Sequence, residues 1–291
     1  MVLYIMILKK AGQIHMKILL IADVHNRPNS SRLAHDKTLK DIKKAIDKAC
    51  CDLIVFLGDT VHGPDFKEVD EPYEPYLREV LDLTNGIPFA YVFGNHDDEC
   101  EITKEEILDI IKTYPNSVTD GRNYVVRMNG ETLLFIDSGS YYQGDESYYD
   151  VVDEAVIKWA QQEIKDERAI LFQHIIVPDI IDCLYEYDSF KPFCARGNGK
   201  WVRFKNDFQY RGKMRERPCP PDINNGELKS LSPYLKGAVF GHDHVNSFEL
   251  DLMGVKLIQC EGAGYNGYDK YHRSSVKILD TYTMVSKLVK L

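Results

Sequence analysis

The sequence lacks a net positive charge, a disulfide-type cysteine pattern and a long hydrophobic run. Its 291 residues carry a formal net charge of −9. A dedicated nucleic-acid binder usually presents a basic surface, so a nucleic-acid partner is not expected. The seven cysteines are odd in number and include no Cys-x-x-Cys pair, a usage typical of reduced thiols in the cytoplasm. Hydrophobic residues make up 44% of the chain and charged residues 28%, the profile of an ordinary globular protein.

The first fifteen residues do not resemble a targeting segment. Val2–Leu8 is apolar but too short to cross a membrane. Lys9 and Lys10 follow this run, whereas the basic residues of a secretory signal precede its apolar core. A membrane partner is therefore not expected. Because Met16 begins a natural first strand, we expect residues 1–15 to be an upstream extension whose loss would remove nothing of identifiable function.

Five strand-like hydrophobic runs end abruptly in polar residues. The central run, Phe89–Phe93, is bounded by Pro88 and Gly94 and leads into an amide, an imidazole and carboxylates. The five polar ends are Asp23-Val24-His25, Gly58-Asp59, Gly94-Asn95-His96-Asp97, His174 and Gly241-His242-Asp243-His244. Any one of them could be an ordinary turn or a structural histidine. Their recurrence favours a shared site, because open α/β sheets bind ligands at the carboxyl ends of strands and these ligand types suit Mn, Fe and Zn.

Local patterns predict several elements between these ends. Apolar residues at helical spacing indicate a helix over residues 33–49, and Thr103-x-x-Glu106 is a capping box that begins another helix. Asn129-Gly130 between two strand-like runs predicts a hairpin. The glycine-rich segment Glu261–Gly267 could approach the site, but its composition is more typical of a plain loop.

In this order the five ends resemble the signature of the calcineurin-like metallophosphoesterase superfamily: D-x-H, G-D, G-N-H-[DE], a lone His and G-H-x-H. The signature runs from Asp23 to His244. We therefore expect one domain over residues 16–291, with a long insert at about 178–236. The patterns alone indicate an α/β protein. The resemblance implies two mixed β-sheets packed face to face and flanked by helices, a four-layer sandwich.

The resemblance also implies a metal site and a reaction. It assigns one ion to Asp23, His25, Asp59 and His244, and a second ion to Asp59, Asn95, His174 and His242. Asp59 would bridge the ions, since a carboxylate has two oxygens. The cofactors would be two divalent or trivalent ions of Mn, Fe or Zn. The reaction would be hydrolysis of phosphomonoesters or small phosphodiesters by metal-activated hydroxide, with a small phosphorylated molecule as substrate.

Two catalytic residues follow from the same resemblance. His96 would protonate the leaving oxygen or orient the phosphate, and Asp97 would fix the loop or His96 itself. His62 stands three residues after Asp59, where purple acid phosphatases have a tyrosine and several other branches have an aspartate. Three roles stay open for His62: metal ligand, support for His96, or space filling.

A narrower resemblance is to the purple-acid-phosphatase-like phosphoesterases that lack the tyrosine ligand. The chain shares with them Gln173-His174, a last motif that continues into Val245-Asn246, and the long insert. The middle of this insert, residues 196–217, holds eight basic and two acidic side chains. One interpretation is a solvated loop or hairpin. The other is a flap that contacts the substrate through Arg196, Arg203 and Arg211. His62 is a further candidate for contact with the substrate.

Two rival functions stay open. A nuclease-type phosphodiesterase would use the same metals, although the acidic net charge weakens it. A non-catalytic metal-binding scaffold predicts gaps in the set of metal ligands, and the signature from Asp23 to His244 has none. Phosphoester hydrolysis by a cytoplasmic enzyme is therefore the leading hypothesis.

Overall fold

The structure is a computed structural model that describes residues 16–28, 32–97, 99–142, 149–267 and 274–291. The expected N-terminal extension, residues 1–15, lies outside the described residues. The strands are β1 (Lys17–Ile21), β2 (Leu53–Leu57), β3 (Phe89–Val92), β4 (Tyr124–Met128), β5 (Glu131–Phe135), β6 (Ala169–Phe172), β7 (Leu184–Tyr187), β8 (Ala195–Gly197), β9 (Lys200–Phe204), β10 (Tyr210–Lys213), β11 (Leu235–Phe240), β12 (Ser247–Leu252), β13 (Val255–Gln259), β14 (Ser275–Asp280) and β15 (Val285–Lys290). The α-helices are α1 (Arg32–Ala49), α2 (Tyr73–Leu81), α3 (Lys104–Lys112), α4 (Glu154–Ile164) and α5 (Glu227–Leu231).

Two large mixed sheets form the framework. The smaller has strand order β15-β14-β1-β2-β3 and the larger β10-β12-β13-β11-β6-β5-β4. Strands β1, β2 and β3 run parallel, as do β5, β6, β11 and β13, while the outer strands pair antiparallel. The parallel strands are apolar on both faces, the pattern of strands covered on both sides.

The two sheets pack face to face, as the resemblance implies. Leu20 and Val55 of the smaller sheet share one buried cluster with Leu133 and Ile170 of the larger sheet. The outer face of the smaller sheet is covered by α1, α2 and α3, and that of the larger sheet by α4 and α5. The predicted four-layer sandwich is confirmed.

Local signals account for most element boundaries. The helix predicted over residues 33–49 is α1. The side chain of Thr103 accepts from the N–H of Glu106, and the Glu106 carboxylate accepts from the N–H of Thr103 at 2.8 Å, which completes the capping box of α3. Asn129 and Gly130 both have positive φ, 52° and 79°, in the β4–β5 turn. Among the described residues, no helix combines the length and apolar composition needed to cross a membrane.

The insert is more ordered than its pattern suggests. Strands β7, β9 and β8 form a separate three-stranded sheet, and β10 adds to the edge of the larger sheet by pairing with β12. All four residues of β10 are exposed, so their sequence has no apolar alternation to signal a strand. Two insert residues, Asn198 and Arg217, line the same cavity as the strand-end residues His25, Asp59 and His242.

Candidate metal centre

Four side chains from separate strand ends meet in a first ligand group. One ligand atom from each of Asp23, His25, Asp59 and His244 lies within 4.8 Å of the others. The Nε2 atoms of His25 and His244 are 2.9 Å apart, and Nε2 of His244 is 3.4 Å from Oδ1 of Asp23. Two atoms that bind one ion at about 2.1 Å are separated by roughly 3.0–3.4 Å in common geometries. These separations fit a shared cation.

A second ligand group adjoins the first and shares Asp59 with it. One ligand atom from each of Asp59, His174 and His242 lies within 4.8 Å of the others. Oδ2 of Asp59 is 3.2 Å from Nε2 of His174 and 3.7 Å from Nε2 of His25, so one carboxylate oxygen faces both groups. Oδ1 accepts a hydrogen bond from the backbone N–H of His96. The resemblance assigns Asp59 a bridging role; in the structure its Oδ2 faces both ligand groups and its Oδ1 faces the backbone of the His96 loop.

The backbone at these positions is strained. Asp23, His25, Asp59 and His242 have φ values of 51°, 45°, 50° and 72°, in the left-handed region that non-glycine residues rarely occupy. Such conformations cluster at functional sites. Alternate residues of an extended segment point to the same side, but Asp23 and His25 are not in an extended segment. They meet in one group through left-handed backbone, held by a hydrogen bond from His25 N to Asp59 O.

Buried polar atoms without a hydrogen-bond partner show that the two ligand groups fit metal cations. Oδ1 of Asp23, Oδ1 of Asn95 and Nε2 of His174 are buried without a hydrogen-bond partner in the described part of the chain. Buried polar atoms are normally partnered. Nδ1 of His174 lies 2.6 Å from the carbonyl oxygen of Leu57, and donation there leaves Nε2 to face the carboxylates. The residue clusters thus fit a dinuclear metal centre.

The protonation states suit this interpretation. Burial lowers the pKa of His25 and His242 well below its ordinary value and lowers that of His244 to about 4. These imidazoles are therefore neutral and can donate nitrogen lone pairs. Burial also opposes protonation of His174, but the negative charge of Asp59 outweighs it and raises the pKa of His174 to about 10. A proton here takes the neutralising role that a metal cation would take.

Asp97 holds two loops together. Its carboxylate accepts hydrogen bonds from the backbone N–H groups of Gly94, Asp59 and Thr60, at 2.7, 3.1 and 3.1 Å. Burial, together with the charge of Asp59, raises the pKa of Asp97 to about 6. Of the two roles that the resemblance offered, the contacts favour fixing the loop over supporting His96.

The partner of His96 is Glu99, which the sequence analysis missed. Nδ1 of His96 is hydrogen-bonded to the Glu99 carboxylate. Burial opposes protonation of His96, but the charge of Asp59 and the bond to Glu99 raise its pKa. The only signal in the sequence was a carboxylate three residues after the histidine, a spacing too common to be specific.

A cavity of about 500 Å³ opens over the two ligand groups. His96, His62 and Arg27 line it on the side of the smaller sheet, and Asn198 and Arg217 line it from the insert. The carboxylate of Asp65 holds Arg27 through two hydrogen bonds, at 2.7 and 2.6 Å. The cavity therefore combines an imidazole, two guanidinium groups and the ligand groups at its base.

His62 packs beside the first ligand group without joining it. Its Nδ1 is 3.1 Å from Nδ1 of His25, and its ring centroid is 5.0 Å from that of His96. Burial, followed by the charge of Arg27, lowers the pKa of His62 to about 4. Of the three roles left open, this geometry favours support, given to His25 through a hydrogen bond and to His96 through ring packing.

Comparison with known proteins agrees with this geometry. A model of the calcineurin-like phosphoesterase family matches residues 16–246. The chain belongs to this family.

Several relatives carry phosphatase names. Two Arabidopsis thaliana proteins are named probable inactive purple acid phosphatase 14 and 29. The first is 28% identical over 269 residues, covering 79% of this chain and 63% of the relative. The second is 26% identical over 314 residues, covering 91% of this chain and 76% of the relative. A solved dimetal phosphatase from Danio rerio shares the fold, with a TM-score of 0.64 at 14% identity over 96% of both chains.

In this calcineurin-like family member, the basic residues that face the cavity differ from those expected. Arg196, Arg203 and Arg211 are not among the described residues that line it. The Arg196 guanidinium lies over the ring of Trp201, and that of Arg203 over the ring of Tyr185. Arg211 lines a separate cleft. The described lining therefore does not include the three arginines expected in a substrate-facing flap, and Arg27 and Arg217 line the cavity instead.

The glycine-rich segment Glu261–Gly267 also departs from expectation. It is a loop, but one that packs directly against Asp23, Val24 and His244. A Cβ added at Gly264 would collide with the carbonyl oxygen of Val24, and one added at Gly267 would lie 3.0 Å from Nδ1 of His244. Glycine is needed here because backbone approaches the ligand loops closely.

Proposed function

We propose that this protein is a two-metal phosphoesterase that hydrolyses phosphomonoesters or small phosphodiesters. One observation carries the proposal: two adjoining ligand groups share Asp59 at the base of a cavity that also holds His96. In the proposal Asp23, His25, Asp59 and His244 hold one ion, and Asp59, Asn95, His174 and His242 hold the other. Manganese, iron and zinc all suit these ligands. When bound, the ions would supply a water of lowered pKa and neutralise charge on the phosphate oxygens.

The protein's own residues then have separate tasks. His96, oriented by Glu99, donates a proton to the leaving oxygen, and its raised pKa keeps that proton available near neutral pH. Arg27 and Arg217 are held by Asp65 and Glu186 and attract the anionic substrate from two sides. Asp97 positions the loops that carry Asp59 and His96.

The cavity and the cysteines bear on substrate and compartment. A volume of about 500 Å³ accommodates a small phosphorylated molecule. All seven cysteines are free thiols, which supports a reducing compartment such as the cytoplasm. The term "inactive" in the names of the two plant relatives describes those proteins. This chain retains every ligand position of the family signature, so we favour catalysis over a scaffold role.

Turnover of a chromogenic phosphomonoester by protein loaded with manganese, iron or zinc tests the proposal. We expect measurable hydrolysis in the loaded wild-type protein. We expect a loss of roughly 10²–10⁴-fold in His96→Ala, because that variant lacks the general acid. His35→Ala is the matched control, since His35 lies beside Glu79 and outside the cavity. An aryl phosphodiester assayed in parallel separates monoesterase from diesterase activity.

Wild-type protein that binds both ions yet hydrolyses neither ester would overturn the proposal in favour of a non-catalytic scaffold. Equal activity in His96→Ala and His35→Ala would overturn the role given to His96.

A further inference from the structure

A second polar cleft lies between the edges of the two large sheets. It has a volume of about 270 Å³, and its walls come from β10 and β12 of the larger sheet and from β14 and β15 of the smaller one. The basic side chains in it are Arg211, Lys213, Arg215, Lys277 and Lys290. Five cations in one cleft contrast with the net charge of −9 of the whole chain.

Lys277 distinguishes this cleft from a solvated basic surface. It is only 3% exposed, yet no residue that the structure describes pairs with its ammonium group through a hydrogen bond or a close ion pair. Lys104, which is similarly buried at 4%, pairs with the carboxylate of Asp137 at 3.2 and 3.3 Å. Buried lysines are normally paired, because an uncompensated buried charge is costly.

The acidic side chains in the cleft are already engaged. Glu249 accepts hydrogen bonds from the backbone N–H and the hydroxyl of Ser286. Glu261 accepts from the guanidinium of Arg215 at 3.1 Å. These two carboxylates stabilise Lys277 only through space, and the cleft keeps an excess of positive charge.

Protection of a sheet edge does not explain Lys277. Charged residues that point inward often guard exposed edge strands. Lys277, however, lies on β14, which is hydrogen-bonded to β15 on one side and to β1 on the other. Lys277, which lines the cleft without a paired carboxylate among the described residues, therefore calls for another explanation.

The cleft is separate from the catalytic cavity. Arg215 lines the cleft, whereas the next two residues, Glu216 and Arg217, line the cavity. The backbone N–H groups of Arg215 and Glu216 both donate to Oδ1 of Asn246, at 2.8 and 3.1 Å, which fixes this dividing segment. An anion in the cleft would thus lie on the far side of the segment that carries Arg217.

We propose that this cleft binds a small tetrahedral oxyanion, either free phosphate or the phosphoryl group of an organic ligand, through Lys277 at its base and Arg211 and Lys213 at its rim. The volume is below the range of about 300–1,000 Å³ that is usual for sites of larger small molecules. A compact anion fits that size. Its charge would compensate the ammonium group of Lys277 in the cleft.

Equilibrium dialysis of the full-length, metal-loaded protein against radiolabelled inorganic phosphate tests this site. We expect about two phosphates per chain in the wild-type protein, one in each site, and about one in Lys277→Met. Lys191→Met is the matched control, because Lys191 lies on the insert at a different surface. It is expected to keep the wild-type number. A parallel dialysis against methylphosphonate, which cannot be hydrolysed, measures whether the cleft accepts the phosphoryl group of an organic ligand as well as free phosphate.

The proposal is overturned when Lys277→Met binds as many phosphates per chain as the wild-type protein. It is also overturned when Asp59→Asn abolishes all phosphate binding, because the metal centre would then account for every phosphate that the wild-type protein binds. If Lys277→Met fails to fold, Lys213→Met at the exposed rim provides the test, with an expected fall in phosphate affinity of several-fold. The number of bound phosphates is measured without turnover. The proposed anion site can therefore be refuted while the proposed hydrolysis stands, and the proposed hydrolysis can be refuted while the anion site stands.

Discussion

At the scale of the residue, the arrangement depends on side chains that position other side chains. Asp97 ties the loop of Asp59 to the loop of His96 through three backbone N–H groups. Glu99 orients His96, and Glu186 holds Arg217 at 2.7 Å. None of these three partners is expected to bind substrate itself.

Arg217 offers a direct test of substrate recognition. In Arg217→Gln we expect KM for a phosphomonoester to rise by roughly 10- to 100-fold with little change in kcat, because a lost charge-assisted hydrogen bond corresponds to about 1.5–3 kcal/mol of binding. Steady-state kinetics of the metal-loaded enzyme measures this effect. Arg203→Gln is the control, since its guanidinium lies over Tyr185 outside the cavity. A larger rise in KM for Arg203→Gln would restore the original expectation of an arginine flap.

Glu227 predicts a pH dependence of stability. Its carboxyl group is buried near Gln173 and Asp179, and burial raises its pKa to about 8 from an ordinary value of 4.5. Between these values the folded state holds a proton that the unfolded state has released. The free energy of unfolding should therefore fall as pH rises through this window, by at most about 1.4 kcal/mol per pH unit.

Glu227→Gln should remove that fall. Urea unfolding of wild type and variant at about pH 5 and about pH 8 gives the comparison, and we expect the variant to gain stability relative to wild type at the higher pH. Glu154→Gln serves as the control, because the side chain of Glu154 is 80% exposed. A parallel pH dependence in wild type and Glu227→Gln would contradict the assignment.

At the scale of the element, the segment Glu261–Gly267 closes the site from the side of β13. Gly264→Ala would force a methyl group against the carbonyl oxygen of Val24, next to Asp23. We expect a loss of about 1–3 kcal/mol in the free energy of unfolding, as for other overpacked positions. In Gly121→Ala the nearest atom is 3.6 Å away, so its stability should change little. Equal losses in both variants, measured by chemical unfolding, would argue against tight packing at Gly264.

Sequence patterns predicted the strand ends well because their physics is local. A buried parallel strand is a short apolar run, and the residue at which it stops is visible in the chain. The packing of Gly264 on Val24 was invisible because it joins residues far apart in sequence. The sequence also did not show where the side chains of Arg196 and Arg217 lie. The position of Arg196 depends on the pairing of β8 with β9, and that of Arg217 depends on its hydrogen bond to Glu186.

At the scale of the whole molecule, the ligand set is an assembly of both sheets. Asp23, Asp59 and Asn95 follow strands of the smaller sheet, while His174 and His242 follow strands of the larger one. Cations that bind only this assembled arrangement would stabilise the native state by mass action. The order of the ligands along the chain was evident from sequence, but their meeting depends on the face-to-face packing of the two sheets.

The metal content of the purified, metal-loaded protein tests the central claim most directly. After dialysis, elemental analysis should find about two ions per chain in the wild-type protein and fewer than one in Asp59→Asn, because both ligand groups share that carboxylate. Asp243→Asn should keep about two, since Asp243 lies between His242 and His244 but its carboxylate accepts from Cys219 and Asn246. A wild-type protein that retains no ions, or an Asp59→Asn variant that retains two, would contradict the account.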